Sequence, residues 1–323
     1  MTRLLRELEA AVGGGYHELS SAISRAVAAV VPHDGLRLVG TGPVTGCGPG
    51  SFSFWHGYDP DFGLAVLRNA YAGQDRMLMA DLARRPSPVG VRLVGAFGVG
   101  SELRLLLRDG RGVWGVLELL RSEGGRSFDE HDMTRARRLV PVLIAVLRGH
   151  VTAGPLAPAV PALSAGVLVV GRDHVVKAMT PEARRWRDLL RTRQHAPDFT
   201  SASYCLGLSM QARAPGSPAA LVVGPAASYG RWVACHAEPL SDGEVAIVIE
   251  TITGARLLPW FCSWYGITAR EQQVTTELLD GAAPKHIARR LGLSPHTVHD
   301  HLKSLFRKTH VTSREQLHTL LTT

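Results

Sequence analysis

The segment SPHTVHDH, residues 294–301, places three histidines and an aspartate within six positions. His296, His299, Asp300 and His301 are side-chain types that hold a catalytic metal ion or that donate and accept hydrogen bonds to another molecule. On a helix, His296 shares a face with His299 and Asp300, whereas His301 points away from them. Because the four side chains do not converge, the spacing argues against a metal centre and a hydrolase, and we predict no metal here.

The 323-residue chain is 45% hydrophobic and 20% charged, which is typical of a globular protein of two or three domains. Its net charge of +8 favours an acidic partner, with nucleic acid first. No apolar run is long enough to span a membrane, and the start is unlike a signal peptide, so we expect a cytoplasmic protein without a membrane partner. Four scattered cysteines predict free thiols in a reducing compartment: Cys47, Cys205, Cys235 and Cys262.

Two breaks in composition divide the chain. Residues 151–162 (VTAGPLAPAVPA) carry no charge and are rich in Pro and Ala, so they predict a linker. A second break falls near residues 251–256 (TITGAR), after a strand-like run. We therefore expect three domains, with these bounds: 1–150, 163–250 and 255–323.

The first domain contains both helix and strand patterns. Two strand-like runs within residues 101–121 flank the turn Asp109-Gly110-Arg111-Gly112, which predicts a β-hairpin. A long amphipathic helix is predicted from residue 129 to residue 148. Helical apolar spacing also characterises three earlier segments: 17–30, 61–72 and 74–84.

The hairpin and its closing helix, with the motifs WGVLELLR (114–121) and FDEHD (128–132), resemble the end of a GAF domain. The resemblance covers about residues 17–150 and implies an antiparallel-sheet domain that senses a small molecule, a cofactor or a protein partner. An aromatic cluster, FSFWHGYDPDF (52–62), is open to two interpretations, the lining of a ligand pocket or plain core. No residue identifies a ligand, so we assign no cofactor and leave its binding residues unknown.

The second domain begins with two predicted strands, at residues 166–170 and 174–178. A helix is predicted to start at Pro181, with Thr180 as its N-cap. Residues 191–230 are expected to be rich in loops. Two further strand-like runs follow, at 231–238 and 244–250. This order resembles a PAS domain, which implies a second antiparallel-sheet sensor.

Residues 267–320 predict four helices. Thr268 and Glu271 form a capping box at the start of the first helix, and Gly281 ends it. Pro284 begins the second helix, and Gly292 ends it. Two short helices joined by a glycine-containing turn of a few residues are typical of a helix-turn-helix.

The third of these helices carries the segment SPHTVHDH, with Ser294 as its N-cap and Pro295 in its first position. Its apolar side chains share one side, so a polar, partly basic face is left to meet a major groove about 12 Å wide. The residues of this face are predicted to contact base edges: His296, His299, Asp300, Lys303 and Arg307.

Four motifs in this region resemble the LuxR/FixJ/NarL-type DNA-binding domain: TAREQQV (268–274), KHIARRLGLS (285–294), TVHDHLK (297–303) and KTHVTSREQL (308–317). The resemblance covers about 55 residues. It implies a four-helix domain whose third helix enters the major groove of duplex DNA and which dimerises through its fourth helix.

The resemblance also assigns roles by position. His299 stands where the family usually has Lys or Arg, and His310 stands where a glycine is usual, which predicts a left-handed backbone there. The pair Arg270 and Glu271 is expected to be structural. Phosphate-contacting or helix-anchoring positions carry Lys285, Ser294, Thr297, His301 and Lys308. The dimerisation positions carry Ser313, Gln316, Leu317 and Leu320.

The sequence thus predicts a multidomain α+β transcriptional regulator and not an enzyme, because it has no Gly-rich phosphate loop, nucleophile elbow or paired catalytic carboxylates. The expected partners are double-stranded DNA, a second copy of the chain, RNA polymerase and a small-molecule ligand at the GAF-like or PAS-like domain. Two alternatives stay open: a protein-interaction regulator with weak or lost DNA binding, and an enzyme domain tethered to a DNA-binding domain.

Overall fold

The computed structural model describes residues 16–59, 61–63, 65, 69, 77–194, 199–214 and 220–323. These residues form two antiparallel five-stranded sheets followed by a helical C-terminal region. This architecture confirms the predicted fold class, a multidomain α+β chain with two antiparallel-sheet regions before an all-α region. None of the helices in the described ranges is both long and apolar enough to cross a membrane.

The first sheet has the strand order β2-β1-β5-β4-β3. Its strands are β1 (Gly35–Gly40), β2 (Phe52–His56), β3 (Val89–Ala96), β4 (Val99–Asp109) and β5 (Gly112–Ser122). Among the described residues, four helices accompany it: α1 (Tyr16–Ala28), α2 (Met79–Arg84), α3 (Glu130–Arg137) and α4 (Val140–Thr152). The hairpin predicted around Gly110 is confirmed, because β4 and β5 pair antiparallel on either side of it.

The long helix predicted over residues 129–148 is wrong, since two helices, α3 and α4, occupy this stretch. Pro141 explains the break: it donates no backbone hydrogen bond, and its ring clashes with the preceding turn of a continuous helix. The helix predicted over 74–84 is shorter than expected and begins at Met79. The helix predicted over 61–72 falls mostly outside the described residues.

The aromatic cluster of residues 52–62 divides between the two faces of this sheet. Phe52 and Phe54 are buried in the main core with α1 and α4, because alternate residues of a strand face the same side. Tyr58 and Phe62 are buried in a smaller cluster beside Trp55. The cluster therefore packs as core on both faces.

The second sheet has the strand order β7-β6-β10-β9-β8, the same relative order as the first. Its strands are β6 (Gly166–Val170), β7 (Val176–Met179), β8 (Ala220–Gly224), β9 (Val233–Pro239) and β10 (Val245–Thr251). Its helices are α5 (Pro181–Gln194), α6 (Phe199–Arg213) and α7 (Ala226–Tyr229). The predicted start of α5 is confirmed, because Thr180 Oγ1 accepts a hydrogen bond from the backbone N–H of Ala183.

The expectation that residues 191–230 are rich in loops is wrong, because they contain α6, β8 and α7. The sequence of α6, FTSASYCLGLSMQAR, mixes small, polar and apolar residues without a clear apolar stripe. Because α6 lacks the apolar periodicity by which a helix is recognised in a sequence, it was not predicted.

The C-terminal region contains five helices: α8 (Gly254–Tyr265), α9 (Ala269–Leu279), α10 (Pro284–Leu291), α11 (Pro295–Thr309) and α12 (Arg314–Thr322). The last four were predicted. The first was missed because Pro259 lies inside it, although Leu257, Phe261 and Trp264 are spaced as one helical face.

Helix α8 fixes the C-terminal region to the first sheet. The ring of Trp264, only 1% exposed, lies 5.3 Å from the ring of Trp114 and 5.8 Å from that of Phe52, measured between centroids. Arg148 Nε also donates a 3.3 Å hydrogen bond to the backbone oxygen of Trp264. The C-terminal region is thus packed on the first sheet.

Candidate nucleic-acid interface

Helices α10 and α11 form a helix-turn-helix. Helix α10 ends at Leu291 and is capped by Gly292, which takes the left-handed conformation with φ of 63°, a conformation that glycine adopts without strain. Two residues later, Ser294 Oγ accepts a 3.0 Å hydrogen bond from the backbone N–H of Thr297 and caps α11. The turn is therefore short and fixed at both ends.

Helix α11 presents its polar face to solvent. Val298, Leu302 and Leu305 are buried against the other helices. The five residues predicted to meet base edges are all exposed: His296, His299, Asp300, Lys303 and Arg307. The structure thus brings these five side chains onto one accessible face, and their contacts with DNA stay a prediction.

The charges on this face are available to a ligand. In the described part of the chain, neither Lys303 nor Arg307 has a carboxylate within ion-pair distance. Asp300 Oδ2 instead lies 3.6 Å from Nε2 of His296, one helical turn away. The two cations can therefore meet phosphate or base acceptors without first breaking an internal pair.

Glu271 and Lys308 hold the end of α11 against α9. Lys308 Nζ lies 2.6 Å from Glu271 Oε2, and Glu271 also accepts hydrogen bonds from the backbone N–H and hydroxyl of Thr268. Burial alone would raise the pKa of Glu271, but the bonds from Lys308, Thr268 and Ser304 outweigh it and lower the pKa to about 2. Of the two roles predicted for Lys308, anchoring fits this geometry better than phosphate contact.

We expect Glu271 to make the C-terminal helices sensitive to acid. The pKa of Glu271 in the folded protein lies below its ordinary value of 4.5. The carboxylate therefore contributes its full stabilisation of the folded protein above pH 4.5, and this contribution is lost as the pH falls towards about 2. The shift corresponds to at most about 3 kcal/mol, and solvent screening reduces this to about 1–2 kcal/mol.

Native-state hydrogen exchange of α9 and α11 between pH 5 and pH 3 measures this loss. Glu271→Gln is the control, because it removes the carboxylate and with it this part of the pH dependence. Equal pH dependence in the two proteins would contradict the prediction.

Arg270, next to Glu271, ties α9 to the other helix of the pair. Its Nη2 donates a 2.6 Å hydrogen bond to the backbone oxygen of Leu291, near the end of α10. Arg270 and Glu271 are adjacent in α9, and they therefore hold α10 and α11 respectively. The resemblance implied a structural role for this pair, but the sequence did not indicate which atoms the two residues would contact.

His310 ends α11 in the left-handed conformation, with φ of 58°, as its position predicted. A non-glycine residue loses roughly 1–2 kcal/mol in this conformation, whereas glycine loses about 0.5–1 kcal/mol more entropy on folding. We therefore expect His310→Gly to raise the free energy of unfolding of α11 by about 0.5–1 kcal/mol.

Hydrogen exchange of the α11 amides measures this change. His318→Gly, on the exposed side of α12, is the matched control and is expected to destabilise its helix. A loss of stability in His310→Gly would contradict the prediction, because it would show that the left-handed backbone at His310 does not lower the stability of this domain.

The other predicted residues lie at the flank and on α12. Lys285 is exposed at the start of α10, and Thr297 and His301 are half-buried beside the polar face of α11. Ser313 caps α12 and accepts a 3.2 Å hydrogen bond from the backbone N–H of Gln316, which is exposed. Two predicted dimerisation residues, however, are buried inside the protomer: Leu317 (1% exposed) and Leu320 (7%).

Charged side chains on the second face of the first sheet neutralise one another. Glu118 contacts Arg37 Nη1 at 3.1 Å and accepts a hydrogen bond from Tyr58 Oη. Arg104 Nε lies 2.8 Å from Glu102 Oε1 and 3.9 Å from Glu118 Oε1. Burial would raise the pKa of Glu118, but Arg37 and Arg104 lower it overall. These contacts stabilise the sheet and identify no ligand.

No metal centre is found among the residues that the structure describes, since no three His, Cys, Asp or Glu side chains there come together in a way that could hold an ion. The four cysteines are free thiols; Cys262 is buried, and the other three are half-buried. Within SPHTVHDH, His296, His299 and Asp300 are exposed hydrogen-bonding or charged side chains.

An exposed polar third helix, fixed in a helix-turn-helix by the helix before it, defines the class of DNA-binding domains that read the major groove. Residues 266–321 match the family model of bacterial regulatory proteins of the luxR family. The C-terminal part of the chain is thus a LuxR-family helix-turn-helix domain, from a family of transcription regulators.

Two relatives match a short part of the chain. The transcriptional regulatory proteins UhpA of Escherichia coli and of Salmonella typhimurium are each 47% identical to this chain over 51 residues, which is 16% of its length. The chain covers about a quarter (26%) of the length of these relatives. The similarity therefore extends over a short segment of each protein.

Similarities to solved structures are weak. A GAF domain from an Acinetobacter phosphoenolpyruvate-protein phosphotransferase is 15% identical, covers 48% of this chain and 96% of its own, and has a TM-score of 0.28. Escherichia coli SdiA is 10% identical, covers 99% of this chain and 95% of its own, and has a TM-score of 0.33. At these TM-scores neither structure supports a conclusion about this chain.

Proposed function

We propose that the protein is a transcriptional regulator that binds promoter DNA through the polar face of α11. One observation carries the proposal: five hydrogen-bonding or charged side chains share an exposed face of the third helix in a LuxR-family domain. Lys303 and Arg307 supply positive charge, and Asp300 can accept a hydrogen bond from a cytosine amino group. The residues proposed to contact phosphates or to anchor the helix are Lys285, Ser294, Thr297, His301 and Lys308.

We further propose that two copies bind together. Residues 267–320 carry eight Lys and Arg residues against five Asp and Glu residues, a net charge of only +3. Because affinity for DNA depends strongly on neutralised phosphates, a single copy is expected to bind weakly. A dimer doubles the contacts and reads two half-sites about one helical turn apart.

The N-terminal regions are proposed to receive the signal. On this proposal, residues 1–150 form a GAF-like sensor domain, residues 151–162 a linker and residues 163–250 a PAS-like domain, before the DNA-binding domain at 255–323. A small molecule or a protein acts on these regions, and the DNA-bound protein contacts RNA polymerase. The packing of Trp264 against Trp114 supports this proposal, because it joins the first sheet to the C-terminal helices.

The experiment that tests DNA binding is a fluorescence-anisotropy titration of the full chain on mixed-sequence duplex DNA at 50 and 200 mM salt. With roughly six to ten phosphate contacts for a dimer, the affinity is expected to fall by about 10³-fold or more between these concentrations. Binding that is absent at both concentrations would contradict the proposal. It would favour a protein-interaction regulator, which His299 in a position usually taken by Lys or Arg also suggests.

A further inference from the structure

Two arginines from different elements meet where the first sheet joins the C-terminal helices. Arg111 lies in the turn between β4 and β5 and is exposed, and Arg148 lies near the end of α4 and is half-buried. A Cβ atom on Gly266, the residue that follows α8, would lie 2.8 Å from Arg148 Nη2 and 3.0 Å from Arg111 Nη1. Both guanidinium groups therefore reach the space beside one glycine.

This junction brings two positive charges together without a direct counter-charge. No carboxylate of the described residues comes within ion-pair distance of Arg111 or Arg148. Asp109, in the same turn as Arg111, uses its Oδ1 to accept a 2.8 Å hydrogen bond from the backbone N–H of Arg111. Burial and the neighbouring charge of Arg111 lower the pKa of Arg148, and Asp109 opposes this effect only in part.

The side chain of Arg148 is held in place from two sides. Its Nε donates a 3.3 Å hydrogen bond to the backbone oxygen of Trp264, and its guanidinium carbon lies 5.3 Å from the centroid of the Trp114 ring. Among the described residues, neither Nη atom of Arg148 and no side-chain nitrogen of Arg111 has a hydrogen-bond partner. These N–H groups are therefore available to an acceptor outside the chain.

The chemistry of the pair selects the kind of acceptor. Two guanidinium groups that share a partly buried space repel each other, and an anion between them replaces this repulsion by attraction. A carboxylate has only two oxygens, which a single guanidinium fork can occupy, whereas a phosphate has enough oxygens to accept from both forks. Because Gly266 has no side chain, the backbone leaves room for a ligand to approach the two arginines closely.

We infer that Arg111 and Arg148 form a phosphate-binding site beside Gly266. The phosphate belongs either to a small molecule or to the backbone of bound DNA, and both sources present the same oxygens to the two arginines. The site lies outside the polar face of α11 and does not depend on the proposed function. A phosphate held there joins the β4–β5 turn and α4 to the first residue of the LuxR-family domain.

The first arm of the test titrates inorganic phosphate into the full chain without DNA, at constant ionic strength, and follows binding by phosphorus NMR. Arg111→Gln is expected to weaken binding roughly 10-fold or more, because it removes charge-assisted hydrogen bonds. Arg111 is replaced rather than Arg148, because Arg148 also holds Trp264. Arg138→Gln is the matched control: Arg138 is likewise exposed, just after α3, and has no ion pair within the described ranges.

The second arm identifies the source of the phosphate from DNA titrations of the wild type and of Arg111→Gln at several salt concentrations. If DNA supplies the phosphate, the slope of log affinity against log salt is expected to fall by about one in the variant. An unchanged slope together with weakened binding of inorganic phosphate identifies a small molecule. If Arg111→Gln changes neither phosphate binding nor the salt slope, the site is overturned. Loss of phosphate binding in a chain that binds no DNA would contradict the proposed function and leave the phosphate site in place.

Discussion

Lys303→Ala is expected to lower the affinity of the full-length protein for its preferred DNA site by roughly 10- to 100-fold, because each lost base or phosphate contact costs about 1–3 kcal/mol. Lys303 is exposed in the centre of the polar face of α11, with no internal ion pair among the described residues. Its removal takes away a positive charge without disturbing the buried side of the helix. Anisotropy titrations on the preferred site and on an unrelated duplex measure the effect.

Lys177→Ala is the matched control for this experiment. Lys177 is also exposed, but it lies on β7 of the second sheet and pairs with Asp173, so its loss is expected to leave DNA binding unchanged. An equal loss of affinity for both duplexes would show that Lys303 contacts a phosphate. A larger loss of affinity for the preferred site would show that it contacts a base. Unchanged affinity on both would contradict its place at the interface.

Lys308→Met is expected to lower the free energy of unfolding of the DNA-binding domain by about 2–3 kcal/mol. Removal of one partner from a buried ion pair typically costs about 3–5 kcal/mol, and the partial exposure of Lys308 (24% of its side chain) reduces this value. Glu271 would remain buried at 6% exposure without its cation. Native-state hydrogen exchange of the α9 and α11 amides measures the change.

Lys285→Met is the control for this variant, because Lys285 is exposed at the start of α10 and makes no ion pair within the described ranges. Its replacement is expected to leave the stability of these helices nearly unchanged. Similar stabilities for the two variants would show that the Glu271–Lys308 pair does not hold α11 in place.

The C-terminal helices could be predicted closely because their ends depend on local chemistry. Ser294 and Pro295 fix where α11 begins, and Gly292 fixes where α10 ends, whatever the rest of the chain does. The apolar spacing of α11 then determined which side chains face solvent. The candidate interface could therefore be predicted from the sequence, and so could the left-handed backbone of His310.

The parts that could not be predicted depend on contacts between distant residues or on patterns that the sequence obscures. Helix α8 was not predicted because it contains Pro259, and its Trp264 contacts residues far away in the chain. The partner of Glu271 lies 37 residues away, at Lys308. The bond from Arg231 to Thr323 spans 92 residues, and no local rule indicates that these two residues meet.

The most direct test of the central claim, that α11 reads DNA sequence, is the selection of genomic fragments by the wild-type protein and by Asp300→Ala. Asp300 lies on the reading face and is exposed, so its loss is expected to change which base pairs are preferred while binding persists. We expect the wild type to enrich a two-fold symmetric motif with half-sites roughly 10 base pairs apart, and the variant to enrich a motif that differs within each half-site. Equal recovery of all fragments by the wild type would contradict the claim.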